Sequence, residues 1–370
     1  MHNNFPGGAE IRGERMRLVS PLLKHLVYPG LSRSGYLRRL TNAAPVVVTY
    51  HGVLPSARAL NHLVLHDHLV STDAFIRQMR LLKSRYNVIS PEQFLLWAEG
   101  QLELPSRSVL LTCDDGLGNT LSDMLPILQH FGFTCLFFVT GASASGVSAM
   151  LWFEQLYIWL LRAKNEVSIR LPSLPSVQVG RRPKQIHSAW VELTQQLSAL
   201  DTDSRVQMLE DVRIQIGISN DWQSEYSQSR TLRSRFFMLN VQELRKLQES
   251  GMTIGAHTMS HPILSQTSEE LAFKEIADSK SRLELALGLP IWAFAFPFGN
   301  RGTVTIREQA LAKRAGFKSA FMSVEEGSIE NRFAVPRIHV SLKTTLAEVD
   351  AHLSGFYRSL RDKFTAPMTA

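Results

Sequence analysis

The sequence has only two cysteines, Cys113 and Cys135, and each lies within an apolar run typical of a strand. Two buried free thiols are the expected state, which excludes a disulfide framework and a cysteine-based zinc site and fits a reducing compartment. No apolar run reaches about 18 residues, so no membrane-spanning helix is expected. The start, MHNNFPGGAE, lacks a basic segment followed by an apolar one; we therefore predict no secretory signal and a cytoplasmic location.

Excess charge is nearly confined to the N-terminal segment. The chain of 370 residues carries a net charge of +7, and most of that excess lies in residues 1–40. The nearly neutral remainder lacks the basic stripe of a nucleic-acid-binding domain, so no nucleic-acid partner is expected. Residues 16–40 mix arginines and leucines. A solvated lead-in helix is the simpler interpretation, and peripheral contact with an anionic membrane surface is the alternative.

Strand-like and helical patterns alternate along most of the chain. VVVTY, SVLLTC, TCLFFVT, MTIGA and WAFAF are β-rich runs, each followed or preceded by a helical pattern. Such alternation indicates a parallel sheet, open or closed into a barrel. One helix is predicted to open at Thr267 with Glu270 three residues on, and a last helix is predicted near 345–363. We divide the chain into a lead-in segment (1–44), an α/β domain (45–364) and a tail (365–370).

The alternation breaks at about 142–238, which we interpret as an insertion into the α/β domain. A helix is predicted in WFEQLYIWLLRAKN, a short β pair in SIRLPSLPSVQV, and two polar helices at 183–200 and 202–217. The first helix begins just beyond TCLFFVTG, so its aromatic residues are expected near the mouth of the domain. Core packing is the commoner role of such residues, but we predict that the insertion forms a lid or cleft wall that narrows substrate choice.

Polar residues follow the predicted strands where the loops of a parallel α/β fold meet. Asp114 and Asp115 follow SVLLTC, and His257 with His261 follows MTIGA. Adjacent aspartates before glycine commonly form a turn, but two carboxylates at the end of an apolar strand are costly unless a cation offsets them. One aspartate with two imidazoles leaves open positions for water and substrate. A second pair, His62 and His66, has the same spacing but lies in a predicted loop away from the strand ends.

The motifs LLTCDDG, IGAHTMSHPILS and FAFPFG, in this order, resemble the polysaccharide deacetylases of carbohydrate esterase family 4. The resemblance runs over residues 45–140 and 238–355. It implies a distorted (β/α) barrel that removes N- or O-acetyl groups from sugars with a divalent metal, usually zinc, with Co²⁺ or another transition metal as alternatives. By resemblance, Asp114 is the catalytic base, and Asp115, His257 and His261 hold the metal.

Two positions depart from the family pattern. Ala295 stands where the third motif usually has an arginine that braces the base, and we predict that Arg337 takes this role; a structural salt bridge is the alternative. The usual acid histidine has one candidate, His339 in RIHV, which is as consistent with a packed histidine. The remaining residues of these strand ends, His51, Pro297 and Phe298, are expected to contact substrate.

The predicted function is hydrolysis of an acetyl amide or ester by metal-bound water, with Asp114 as the base. The expected partners are an acetylated sugar, an oligosaccharide or a lipid-linked glycan. Two alternatives remain: a cyclic amide or imide hydrolase of a related barrel, and a non-catalytic sugar-binding protein. The sequence leaves the sugar, the metal and the oligomeric state open.

Overall fold

The structure, a computed structural model, describes residues 22–40, 42, 44–54 and 67–365. Its centre is a sheet of eight parallel strands. The strands are β1 (Val46–Tyr50), β2 (Asn87–Ile89), β3 (Ser108–Cys113), β4 (Leu136–Val139), β5 (Thr253–Ala256), β6 (Ala293–Ala295), β7 (Ser319–Phe321) and β8 (Ile338–His339). Their order in the sheet is β7–β6–β5–β4–β3–β1–β8, with β2 beside the first half of β3.

The sheet curves into a distorted barrel because one segment links its two edges. Val335 forms a parallel bridge with Phe321 of β7, and three residues later β8 pairs with β1, opposing His339 to Thr49. Both faces of the long strands are buried; all six residues of β3 are inaccessible, as in sheets covered on both sides by helices. The predicted (β/α) barrel is therefore confirmed.

Helices follow the strands in the order that the alternating pattern predicted. Their bounds are Thr72–Arg85, Pro91–Ala98, Leu125–Phe131, Val241–Glu249, Glu269–Leu287, Ile306–Arg314, Leu346–Leu353 and Phe356–Thr365, with Tyr28–Arg33 and Tyr36–Arg39 before β1. Single turns of π or 3₁₀ helix occur at Leu23–Val27, Thr120–Met124, Gly141–Ala144 and Leu264–Gln266.

Two predicted helix boundaries were wrong. The helix predicted to open at Thr267 is capped by Ser268, whose hydroxyl accepts the backbone N–H of Leu271, because the Thr267 hydroxyl donates to the preceding turn at the Leu264 carbonyl. The predicted last helix is broken at Gly355, which adopts φ +78°. A Cβ at that glycine would lie 2.2 Å from the Asn42 side chain, so another residue could not make the close turn.

The segment 142–238, here called the insertion, has a hydrophobic cluster of its own. Its predicted β pair is present as antiparallel Val167–Ile169 and Val177–Val179. Within the cluster, the buried carboxylate of Glu154 pairs with the buried guanidinium of Arg235 at 2.8 Å. The helices are Trp152–Arg162, Pro183–Ser198 and Thr202–Ile216, which agree with the prediction, and Ser224–Gln228 and Arg230–Phe236, which the sequence pattern did not reveal.

Candidate active site

A cavity of about 530 Å³ opens where the strands of the barrel end. It brings together residues as distant in sequence as His51 and His339, which are 288 positions apart, because parallel strands place their following loops at the same edge. Of the nine residues predicted for catalysis, metal binding or substrate contact, eight line this cavity, and Pro297 does not belong to its described lining. The predicted residues that line it are His51, Asp114, Asp115, His257, His261, Phe298, Arg337 and His339.

Asp115, His257 and His261 form one compact group at the base of the cavity. All three are buried, and their candidate ligand atoms lie within 4.8 Å of one another. The Nε2 atoms of His261 and His257 are 3.3 Å and 3.6 Å from Asp115 Oδ1. Within the described part of the chain, this is the group of three histidine, cysteine or acidic residues that could hold a metal ion.

The carbonyl of Ala295 sets the orientation of His257. Its oxygen lies 2.7 Å from His257 Nδ1, so that nitrogen carries the proton and donates, which leaves Nε2 as an acceptor or metal ligand. Burial and the neighbouring His261 lower the pKa of His257 to about 4, so the imidazole is neutral at neutral pH. Ala295, at the position where the family pattern has an arginine, thus contributes to the site through its backbone carbonyl.

Asp114 lies beside this group but has a different partner. The guanidinium of Arg337 donates to both carboxylate oxygens, at 2.7 Å and 2.6 Å, and both side chains are buried. Burial alone would raise the pKa of Asp114, but Arg337, with the imidazoles nearby, holds this pKa below its usual value. Arg337 also donates to the Met322 carbonyl at 2.6 Å and to Thr112 at 3.1 Å, which fixes its position.

Three histidines form the wall of the cavity around Asp114. His51 Nε2 is 4.0 Å from Asp114 Oδ2, and the His51 ring stands 4.9 Å from His339 and 5.4 Å from His68. His339 therefore faces the cavity, the orientation that strand alternation had left open. His68 was missed by the sequence reasoning, which weighed the nearby pair His62 and His66; that pair lies outside the described residues.

Aromatic side chains form the opposite wall. The Phe153 ring, from the insertion, lies 4.9 Å from the His261 ring, and Phe298 lies 5.0 Å from it. Trp190, also from the insertion, lines the cavity and donates its indole N–H to the Phe153 carbonyl at 2.7 Å. Pro297, expected to contact substrate, is buried and does not belong to the cavity lining among the described residues.

Comparison with known proteins gives a consistent result. A family model described as polysaccharide deacetylase matches residues 220–320. The search of curated proteins found no match. IcaB from Ammonifex degensii is 19% identical with a TM-score of 0.52, covering 85% of this chain and 99% of its own.

Two further solved structures have similar scores. The Streptococcus pyogenes deacetylase PplD, in complex with acetate, is 17% identical with a TM-score of 0.50, covering 82% of this chain and 95% of its own. A de-N-acetylase from Aggregatibacter actinomycetemcomitans is 14% identical with a TM-score of 0.52, covering 82% and 98%. The fold is that of these deacetylases. The predicted resemblance to the polysaccharide deacetylases, a class of hydrolases, is confirmed by the family match within residues 220–320.

Proposed function

We propose that the protein is a metal-dependent deacetylase that hydrolyses N- or O-acetyl groups on a sugar of a polysaccharide or glycan precursor. The observation that carries this proposal is that two adjacent carboxylates have different partners. Asp115 belongs to the group that could hold a metal, whereas Asp114, beside that group, accepts two hydrogen bonds from Arg337. Paired carboxylates with different environments are suited to different roles in one reaction.

The donor set at Asp115 fits a divalent transition metal. Asp115 Oδ1 is buried and has no hydrogen-bond partner among the described residues, although the Nε2 atoms of two imidazoles face it. One carboxylate oxygen and two neutral imidazoles suit Zn²⁺ and leave coordination positions open; Co²⁺ is an alternative. A metal held by these three residues would supply Lewis-acid chemistry, which polarises a carbonyl group and lowers the pKa of water.

The remaining steps belong to side chains of the protein. Asp114 takes the proton of the attacking water as general base, and Arg337 keeps that carboxylate ionised and fixes its rotamer. His339, on the wall around Asp114, donates a proton to the departing amine or alcohol, with His51 beside it.

The lining supports a sugar as substrate. Phe153, Trp190 and Phe298 offer aromatic faces beside the metal group, and the apolar face of a pyranose ring packs against such surfaces.

We extend the proposal to a lipid-linked glycan because Leu22, Leu26 and Tyr36 are exposed near basic residues of the lead-in segment, a composition suited to an anionic membrane surface. No helix among the described residues is long and apolar enough to cross a membrane.

Acetate release from acetylated chitooligosaccharides and lipid-linked acetylated sugars, with and without a chelator, tests the proposal. We expect release that the chelator abolishes and added Zn²⁺ restores. Ring opening of a cyclic amide by metal-free protein would instead support the related hydrolase class. Binding of the sugars without any acetate release, in protein loaded with Zn²⁺, would indicate a non-catalytic protein.

A further inference from the structure

The loop that carries His257 and His261 has a strained backbone. Thr258 and His261 both adopt left-handed conformations, with φ of 61° and 60°, although neither is glycine. A residue other than glycine is strained in this conformation, which persists only where the surroundings impose it. The loop therefore depends on contacts that hold it in this shape.

The barrel supplies one set of these contacts. Glu275, on the helix Glu269–Leu287, is buried, and its Oε2 accepts the backbone N–H groups of Met259 and Ser260, each at 2.9 Å. Its Oε1 accepts the Ser260 hydroxyl at 2.6 Å. Three hydrogen bonds to one carboxylate thus anchor the middle of the loop, between His257 and His261.

The insertion supplies a second set from the opposite side. Thr202 donates to Glu275 Oε1 at 3.2 Å, and the buried guanidinium of Arg205 donates to the Ser260 hydroxyl. Arg205 also lies over the Trp152 ring at 5.2 Å. The indole N–H of Trp152 then donates to the backbone carbonyl of His261 at 3.2 Å.

We propose that the insertion positions the metal-binding loop, with Trp152, Thr202 and Arg205 as positioning residues for His261. The contacts end on the His261 carbonyl, the Ser260 hydroxyl and the Glu275 carboxylate that anchors the loop. They are directional, so they specify the position of His261 more narrowly than apolar packing would. Hydrogen bonds from residues that do not themselves bind the metal orient the metal ligands and affect metal affinity. The inference rests on the proposed function, because it presupposes that the three-residue group binds a metal.

The role differs from that of a cleft wall, although the same segment provides both. Phe153 faces the cavity, whereas Trp152, the residue before it on the same helix, contacts the loop behind His261. A substrate wall would affect KM, and a positioning element affects the affinity for the metal itself. The two roles can therefore be separated by measuring metal binding without substrate.

The test compares Zn²⁺ affinity, measured by competition with a chromophoric chelator, in the full chain, three test variants and two control variants. Trp152→Phe deletes the indole donor and keeps an aromatic ring, and Arg205→Met deletes the guanidinium but keeps the aliphatic stem. We expect each to weaken Zn²⁺ binding by about 10-fold or more and to change the visible spectrum of the Co²⁺-loaded protein. Arg205→Lys, which retains a donor, should recover part of the lost affinity.

Two control variants make the same chemical changes elsewhere in the insertion. Trp159→Phe removes an indole N–H that has no hydrogen-bond partner among the described residues, and Arg213→Met removes a guanidinium that bonds Glu210 and the Ile218 carbonyl. Both should bind Zn²⁺ as the parent does. Equal losses in test and control variants would overturn the inference, as would parental affinity in Trp152→Phe and Arg205→Met.

Failure of the inference and failure of the proposed function give different results. If His261→Ala loses Zn²⁺ while Trp152→Phe and Arg205→Met keep it, the metal site stands and the positioning role is wrong. If the parent itself binds no Zn²⁺, the proposed function fails and the inference with it. Thermal unfolding of the metal-free variants separates a loss of fold from a loss of affinity.

Discussion

The guanidinium of Arg337 holds the carboxylate of Asp114 in a two-pronged hydrogen-bonded pair that spans 223 positions of the sequence. Parallel N–H donors match the two carboxylate oxygens in a way that a lysine ammonium cannot. The pair is buried, so its charge interaction is weakly screened by solvent.

Substitution of Arg337 is expected to slow the reaction and shift its pH dependence. Because the guanidinium lowers the pKa of Asp114, its removal raises that pKa, and the base becomes protonated at higher pH. The acidic limb of the pH–rate profile should therefore move upward in Arg337→Lys and Arg337→Ala, with a rate loss of about 10- to 100-fold. Zn²⁺ should remain bound; an Arg337→Ala enzyme with parental rate and profile would exclude the bracing role.

Replacement of Asp114 by asparagine should separate the base from the metal ligands. Asparagine keeps the shape but cannot accept a proton, so we expect a loss of about 10²- to 10⁴-fold in kcat with Zn²⁺ stoichiometry unchanged. The measurement pairs acetate release with metal analysis of the same sample. Loss of metal along with activity would make Asp114 a ligand and exchange its role with that of Asp115.

Alanine at His257 or His261 should remove one ligand and most of the bound Zn²⁺. Two remaining donors cannot complete a protein site of the usual three ligands with an open position. His62→Ala is the matched control, since His62 and His66 have the same spacing as the predicted ligands. Full metal content and activity in His257→Ala would show that the metal group is misassigned.

Truncation of Phe153 should weaken substrate binding more than chemistry. The ring lies beside His261 and Phe298 at the cavity. In Phe153→Leu we expect KM for an acetylated oligosaccharide to rise about 2- to 10-fold, equivalent to about 0.5–1.5 kcal/mol of aromatic contact, with kcat and Zn²⁺ content close to parental. Unchanged KM across a series of oligosaccharides would assign Phe153 to packing alone.

The buried pair in the insertion gives a prediction for stability. Glu154→Ala leaves the Arg235 guanidinium buried without its carboxylate, which should lower the free energy of unfolding by about 3–5 kcal/mol in urea titration. The control is Glu225→Ala, which breaks the exposed pair with Arg162 and should cost about 0–1 kcal/mol. Similar losses in the two variants would contradict the importance of burial.

The strand pattern predicted the fold well because the apolar runs that favour strands in the sequence are also the buried strands of the sheet. The apolar run SVLLTC is β3 in full, and the polar residues after each strand do meet at one cavity. The helix boundaries at Ser268 and Gly355 were missed because they depend on a preceding turn and on the distant Asn42, neither of which leaves a local signature.

The site residues differ in how visible they are in sequence. In the sequence, the spacing of His62 and His66 drew attention away from His68, which is identified only by its position beside His51 in the structure. In the sequence Glu275 cannot be distinguished from an ordinary helical glutamate. Its carboxylate accepts hydrogen bonds from a loop that is adjacent in space but separate in sequence. Pairings across the fold of this kind require coordinates.

The segment that closes the barrel has a consequence for the order of assembly during synthesis. Val335 and β8 join the two edges of the sheet, and Arg337 lies between them. A nascent chain that ends before this segment would have Asp114 and its metal-site neighbours without the cation that offsets the buried carboxylate. Barrel closure and the offset of the Asp114 charge thus depend on the same short segment, residues 335–339, so neither can be completed before that segment has been synthesised.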